Sequence, residues 1–135
     1  MAGTSPTATR NAACNAVADL VDRGTGPGYA DFKEAGGTVA AHLHFNITAA
    51  FGDAATGVAT MVTDPAVTNG ATAVGGTVAT MSVYSSGGTS VFDDLAAAAA
   101  LATGVQVVMS TLAVGAGDTL TLNSMTITMP ATTTA

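Results

Sequence analysis

One stretch of the chain, Val39-Ala40-Ala41-His42-Leu43-His44-Phe45, has a clear period of two. Positions 39, 41, 43 and 45 fall on one face of an extended strand, and positions 40, 42 and 44 fall on the other. The first face is apolar, whereas the second carries both histidines of the chain. We therefore predict a β-strand over 39–45 with one face against a core.

Short apolar or alternating runs bounded by turn residues recur along the rest of the chain, and each predicts a strand. They lie at 29–33, 58–62, 77–84, 89–92, 105–109, 112–114 and 119–129. Ser85-Ser86-Gly87-Gly88 is the clearest hairpin turn, joining 77–84 to 89–92. In the last run the apolar phase slips at Asn123-Ser124, which predicts a bulge or bend that re-aims the chain.

The N-terminal segment predicts one helix over 5–23. Ser5 is the expected cap, with Pro6 at the first helical position and Gly24 as the stop signal. Apolar residues recur between them at helical spacing, at Ala13, Val17, Leu20 and Val21.

Three other side chains of this helix have less obvious roles. Cys14 lies beside the apolar stripe and has no base or cation cluster near it, so we interpret it as a packed thiol. Asp19 and Asp22, near Arg23, are interpreted as part of a solvated helix surface.

The segment Leu95 to Leu101 is ambiguous. Asp93 or Asp94 can cap a short alanine-rich helix here, yet a strand continuing from Phe92 fits as well. We favour the helical turn.

The longer run Leu95 to Val114 contains no charged residue over twenty positions, which is the length of a membrane span. Its polar interruptions, its acidic flanks and the lack of a cationic anchor argue against such a span.

Composition restricts the classes of function. The length of 135 residues suits one domain. Only 9% of the residues are charged, which favours a surface that is easily buried in an assembly. A weakly charged monomer is the alternative. The net charge is −6, and all cations lie within the first 33 residues, so we expect no nucleic-acid partner. The N-terminus does not resemble a secretion signal, which predicts synthesis in a cytoplasm.

The residues that usually carry chemistry lack partners at useful spacing. His42 and His44 share a strand face, but the chain contains no third histidine, and two ligands do not hold a catalytic metal. Asp93-Asp94 would point to opposite faces of a strand. The glycines of 24–28 lack the lysine that ends a phosphate loop. We therefore predict no catalytic, cofactor-binding or metal-binding residues, and a histidine pair that is solvated or faces an interface.

Several motifs, taken in their order and spacing, resemble a family of small structural proteins of tailed bacteriophages. They are Thr7-Ala8-Thr9-Arg10-Asn11-Ala12, Gly24-Thr25-Gly26-Pro27-Gly28, Phe51-Gly52, Gly57-Val58-Ala59-Thr60, Gly117-Asp118-Thr119 and Met125-Thr126-Ile127-Thr128-Met129-Pro130. The resemblance spans nearly the whole chain and departs at Leu95 to Leu101, where an alanine run replaces a short polar turn.

This resemblance implies a capsid decoration, or cement, protein: a jelly-roll β-sandwich on the outside of a phage head that bridges major capsid subunits and has no catalytic residues. We accordingly predict a mainly β chain, 1–135, with a helix at 5–23, a jelly-roll-like antiparallel β-sandwich at 29–130 and a tail at 131–135. The expected partners are the major capsid protein and further copies of the chain, as a dimer or trimer, on a virion assembled from protein made in the host cytoplasm. A tail or fibre-base component is the nearest alternative. A small membrane protein and a metal-dependent small-barrel enzyme are more remote ones.

Overall fold

The computed structural model describes residues 2–129 and 132–134, and it describes the side chains of residues 5–129. Within these residues the chain is mainly β, with one helix near the N-terminus. The elements, in order, are β1 (Ala2–Thr4), α1 (Thr7–Val21), β2 (Tyr29–Lys33), β3 (Val39–His44), β4 (Val58–Thr60), β5 (Val67–Thr68), β6 (Gly76–Thr77), β7 (Thr80–Tyr84), β8 (Ser90–Ala98), β9 (Val107–Val108), β10 (Ala113–Val114), β11 (Thr121–Leu122), β12 (Thr126–Thr128) and β13 (Thr132–Thr134).

The largest sheet has the order β3-β2-β7-β8-β9. Its first four strands are antiparallel neighbours, whereas β9 lies parallel to β8. In β2 every second residue is buried, namely Ala30 and Phe32, as expected of a strand with one face against a core. This sheet curls into a sandwich-like arrangement, which confirms the predicted fold class. The jelly-roll connectivity itself stays a prediction.

The remaining strands form nested antiparallel pairs. β6 pairs with β10, β5 with β11, β4 with β12 and β1 with β13, so each pair encloses the previous one along the chain. β13 lies in the segment that the sequence predicts to be a tail, and its backbone pairs Thr134 with Ala2 and Thr132 with Thr4. The two ends of the described chain are therefore neighbours.

The core is built largely from small side chains. It includes Ala30, Ala40, Ala41, Ala50 and Ala59, all at most 2% exposed. Among the side chains of residues 5–129, the largest that is fully buried is that of Leu43. A core of this kind depends on close approach of backbones, since each alanine contributes little buried area by itself.

Two features of the strand prediction are confirmed. The hairpin at 85–88 joins β7 to β8, with the Ser85 N–H donating to the Thr89 carbonyl at 2.9 Å. The phase slip at Asn123-Ser124 also separates two strands, because β11 pairs with β5 and β12 with β4.

The predicted strand over 77–84 is two strands instead of one. The Val78 N–H donates to the Leu112 carbonyl beside the β6–β10 pair, whereas the Ala79 N–H donates to the Lys33 carbonyl of the large sheet. The chain therefore changes sheets between two adjacent residues, and no change in hydrophobic pattern marks that point.

The favoured helical turn at Leu95 to Leu101 is wrong. β8 runs on as a strand to Ala98, so neither Asp93 nor Asp94 caps a helix. Here the Ala97 N–H donates to the Ala79 carbonyl on one side, and the Gln106 N–H donates to the Ala96 carbonyl on the other. Backbone hydrogen bonds on both sides of the segment outweigh the helical preference of alanine, which is only about 0.5 kcal/mol per residue.

Strand β3 ends at His44, one residue earlier than predicted, and its faces are as predicted with one exception. Leu43 and Ala41 are buried and both histidines are exposed, but Ala40, predicted on the outer face, is fully buried. The pairing with β2 shifts between Phe32 and Lys33, which leaves Ala40 as an extra residue. The Ala40 carbonyl accepts hydrogen bonds from the N–H groups of Val74 and Gly75, so the bulge is covered by a neighbouring loop.

Helix α1 is shorter than predicted and is rotated about its axis. Pro6, rather than Ser5, occupies the cap position, and no side chain caps the helix there. The buried stripe consists of Cys14, Ala18 and Val21, at spacings of four and three, whereas Leu20 is 37% exposed. The Cys14 thiol is buried and donates to the Gly57 carbonyl at 3.1 Å, in keeping with a packed thiol.

Polar side chains of α1 and of its C-terminal cap residue, Asp22, hold the irregular segment 50–57 against the helix. The side-chain oxygens of Asn11, Asn15 and Asp22 accept hydrogen bonds from three backbone N–H groups, at 2.8, 2.8 and 2.9 Å. The donors are Gly57, Ala54 and Ala50 respectively. Asp22 is therefore a structural acceptor, which corrects its interpretation as part of a solvated surface.

This role of Asp22 leads to a pH-dependent prediction. Partial burial raises the pKa of the Asp22 carboxyl, and the charge of Asp19 adds to this, although the hydrogen bond from Ala50 acts in the opposite direction. Because the folded-state pKa is raised, the fold is less stable with Asp22 ionised, near pH 7, than with Asp22 protonated. This penalty is lost as the pH falls through the folded-state pKa toward the unfolded-state pKa. Asp22→Asn keeps an acceptor and removes the charge, so we expect it to be at least as stable as the wild type near pH 7. We expect this advantage to shrink in acid.

Urea unfolding of Asp22→Asn, Asp22→Ala and the wild type, from pH 7 to about pH 3.5, checks this expectation. Titrations shared by the three proteins cancel in the differences between them. Asp22→Ala should lose about 1–2 kcal/mol because the Ala50 N–H then has no protein acceptor. The quantity that decides is the stability of Asp22→Asn minus that of the wild type. If this difference were less favourable near pH 7 than in acid, it would contradict the raised pKa.

Candidate functional site

The outer face of the large sheet carries a cluster of polar and aromatic side chains, which we call the histidine–tyrosine face. Strands β2, β3 and β7 lie side by side, and alternation places one set of side chains of each strand on this face. The members are Tyr29, Asp31, Lys33, His42, His44 and Tyr84.

The strand register brings these side chains together in two rows. Tyr29 pairs with His44 on one side and with Tyr84 on the other. Two residues further along β2, on the same face, Asp31 pairs with His42. Directly opposed side chains on antiparallel strands lie close enough to interact, so the register alone specifies these neighbours.

The Tyr29 ring is the centre of the aromatic part. It stacks on the Tyr84 ring with centroids 5.1 Å apart and lies 4.6 Å from the His42 ring and 6.1 Å from the His44 ring. The two imidazoles are themselves edge to face, with centroids 4.6 Å apart. These contacts restrict the side-chain rotamers and orient both histidines.

A chain of polar contacts runs from Asp31 through the two histidines. His42 Nδ1 lies 2.5 Å from Asp31 Oδ1, and because an ionised carboxylate only accepts, Nδ1 carries the hydrogen. This leaves Nε2 of neutral His42 with a lone pair. That atom lies 3.3 Å from Nε2 of His44. The side chain of His42 is 43% exposed, so solvent reaches the pair.

Partial burial and hydrogen bonding shift the pKa values of two groups on the face, His44 and Lys33. Partial burial lowers the pKa of His44, the positive charge that His42 can carry lowers it further, and Asp31 acts in the opposite direction. The hydrogen bond from Lys33 Nζ to the Tyr84 hydroxyl, at 2.5 Å, raises the pKa of Lys33. These effects favour the neutral form of the His44 imidazole over its cation, compared with an isolated histidine.

An open concavity of about 590 Å³ lies beside the face. It is lined by the loop 24–27, by the hairpin turn at Ser86 and Gly87, and by Tyr29, His42 and His44. The Ser86 hydroxyl donates to the Arg23 carbonyl at 3.2 Å, which joins the hairpin turn to the chain just before the loop 24–27. The histidines therefore line a concavity that is open to solvent.

A second surface lies at the opposite edge of the sheet, and we call it the apolar edge: residues 95–117, which contain no charged residue. It comprises the end of β8, the strands β9 and β10 and their connections. Leu101 is 81% exposed and Val108 is 53% exposed, while Val107 between them is buried. The edge thus presents apolar side chains to solvent beside the last strand of the sheet.

The sequence prediction placed the two histidines correctly on one exposed face but did not find their neighbours. Tyr29, Asp31 and Lys33 follow the same period of two as the histidines, and that signal was available in the sequence. Their meeting with the histidines depends on the register of β2 against β3, which the sequence does not specify.

Other chemistry-bearing residues do not converge. Among residues 5–129, no three histidine, cysteine, aspartate or glutamate side chains lie close enough to hold a metal ion. The described part of the chain has no helix of the length and apolar character that crossing a membrane requires. Comparison of the chain with protein-family models, with curated proteins and with solved structures found no match.

Proposed function

We propose that this chain is a virion structural protein that binds the outside of a bacteriophage capsid and stabilises the shell by bridging major capsid subunits. The resemblance of its motifs to phage structural proteins and its mainly β, sandwich-like fold support the proposal. The observation that carries it is the apolar edge, an uncharged surface with exposed Leu101 and Val108.

The apolar edge suits contact with another protein for two reasons. Burying uncharged side chains avoids the large desolvation cost of charged groups. In addition, β9 is the end strand of the large sheet, and an end strand offers backbone N–H and C=O groups with which a partner segment can pair. We propose the major capsid protein as that partner.

Shell stabilisation follows from repetition of a weak contact. A protein that binds only the assembled shell shifts the equilibrium toward that shell by mass action. If each unit is a dimer or trimer of this chain, it engages several subunits at once, and its avidity exceeds the affinity of a single contact. The low charge of the chain, 9% of its residues, is compatible with burial against both partners.

The deciding measurement is quantitative mass spectrometry of gradient-purified virions, taking the ratio of this protein to the major capsid protein. We expect a ratio near one or a simple fraction of it. A handful of copies per particle would contradict capsid coating and favour a tail or fibre-base component instead. Absence from the particle would contradict any structural role.

Substitution in the apolar edge tests which surface makes the contact. Leu101→Asp and Val108→Asp each place a charge where we expect an apolar interface, so binding to decoration-free shells should weaken about 10–100-fold. Ile47→Asp is the matched control, since Ile47 is 73% exposed and follows β3 at the opposite edge of the sheet. Co-sedimentation with shells measures the difference, and equal losses for all three variants would contradict the assignment.

A further inference from the structure

We infer that His42 and His44 form a bidentate site for a divalent transition-metal ion of the zinc, nickel or copper class, with Asp31 as the partner that orients His42. The two imidazole Nε2 atoms act as ligands. This inference is independent of the capsid proposal, because it concerns the histidine–tyrosine face and not the apolar edge.

The first support is the distance between the two nitrogens. In a tetrahedral zinc site the Zn–N bonds measure about 2.0–2.1 Å, so two nitrogen ligands lie about 3.3–3.4 Å apart. Nε2 of His42 and Nε2 of His44 lie 3.3 Å apart. Residues at positions i and i+2 of a strand share a face, and the Tyr29 ring packs against both imidazoles in this arrangement.

The second support is the partner on the far side of His42. A histidine that binds a metal through Nε2 usually donates its Nδ1–H to a carboxylate or carbonyl, which selects the tautomer and strengthens the ligand. Asp31 Oδ1 accepts that hydrogen from His42 at 2.5 Å, and its side chain is only 14% exposed. The largely buried carboxylate therefore keeps the hydrogen on Nδ1 and leaves the His42 Nε2 lone pair directed toward His44.

The third support is access. Both histidines are exposed and line the open concavity, so an ion reaches them without rearrangement of the backbone. Residues 5–129 supply no third ligand at this place. The remaining coordination positions are filled either by water or by the same two histidines of a second copy, and stoichiometry distinguishes the two cases.

Equilibrium dialysis of the full chain without a histidine tag, against zinc chloride and separately nickel chloride near pH 7, tests the site. We expect saturable binding of one ion per chain if water completes the site, or one ion per two chains with metal-dependent dimerisation if a second copy does. His42→Gln and His44→Gln should each weaken binding by at least about 100-fold, and Asp31→Asn by about 10-fold. Asp64→Asn, an exposed carboxylate outside the face, should leave binding unchanged.

A spectroscopic readout separates this site from adventitious binding. The chain has only two histidines, so long-range ¹H–¹⁵N spectra of imidazole nitrogens report on this pair alone. On adding zinc, we expect both Nε2 signals to shift while Nδ1 of His42 stays protonated. Three results would each overturn the inference: binding that survives both Gln substitutions, binding through Nδ1 of His42, or no saturable binding. Circular dichroism of each variant confirms that it is folded.

Discussion

Leu43→Ala is expected to lower the free energy of unfolding by about 2–5 kcal/mol, a large part of the stability of a domain of this size. Leu43 is 0% exposed and is the largest of the fully buried side chains among residues 5–129. The loss has two parts, the transfer free energy of the deleted atoms and the cavity left behind. Its strand neighbour Ala30 and the adjacent Ala41 have no rotamers with which to fill that cavity. We therefore expect a value in the upper half of the range.

Thermal and urea unfolding measure this effect, and the expected fall in melting temperature is roughly 10–20 °C. Ile47→Ala is the control, because it deletes a similar aliphatic side chain that is 73% exposed. It should change stability by less than about 0.5 kcal/mol. If the two variants behaved alike, Leu43 would not lie on the core face of β3, and the register that forms the histidine–tyrosine face would be wrong as well.

Gly28→Ala is expected to destabilise the fold by about 3 kcal/mol or more, at the upper end of the cost of overpacking. A Cβ atom on Gly28 would lie 2.5 Å from the Val21 carbonyl oxygen, 2.6 Å from Val21 Cγ1 and 2.8 Å from the Tyr84 carbonyl oxygen. Two of these three atoms belong to the backbone and cannot rotate away. Gly28 thus lies where the end of α1 and the end of β7 approach the start of β2.

Gly36→Ala is the matched control for this substitution. A Cβ atom at Gly36 meets no atom within 4 Å. Alanine restricts the unfolded chain more than glycine does, so this variant should be unchanged or more stable by about 0.4–1 kcal/mol. Urea unfolding of both variants separates the steric effect from the general effect of replacing glycine. A Gly28→Ala protein with wild-type stability would contradict the close approach of the helix and the sheet.

A Gly28→Ala protein that still folds also serves as a probe of the histidine–tyrosine face. Gly28 directly precedes Tyr29, and its carbonyl accepts the Phe45 N–H at 2.9 Å beside the end of β3. A shift of Gly28 therefore moves Tyr29 relative to His44. Metal affinity of this variant should fall along with stability, whereas that of Gly36→Ala should not.

Local sequence patterns identified many of the extended segments and most of the apolar face of residues 39–45. The alternation of residues 39–45 placed Leu43 inside and both histidines outside, and the Ser85-Ser86-Gly87-Gly88 turn placed a hairpin. These features follow from side-chain period and turn chemistry, which act over a few residues and are therefore readable from the chain. The composition likewise indicated a weakly charged domain.

Long-range pairing decided several features that the local pattern left open. Residues 95–98 are a strand because β7 and β9 satisfy their backbone groups from both sides, although alanine favours a helix. Ala40 is buried because the register of β3 against β2 shifts there. The meeting of Asp31 with His42, and of Tyr29 with His44, also depends on that register. Partners far apart along the chain make these contacts, so no short window of the sequence contains the information that fixes them.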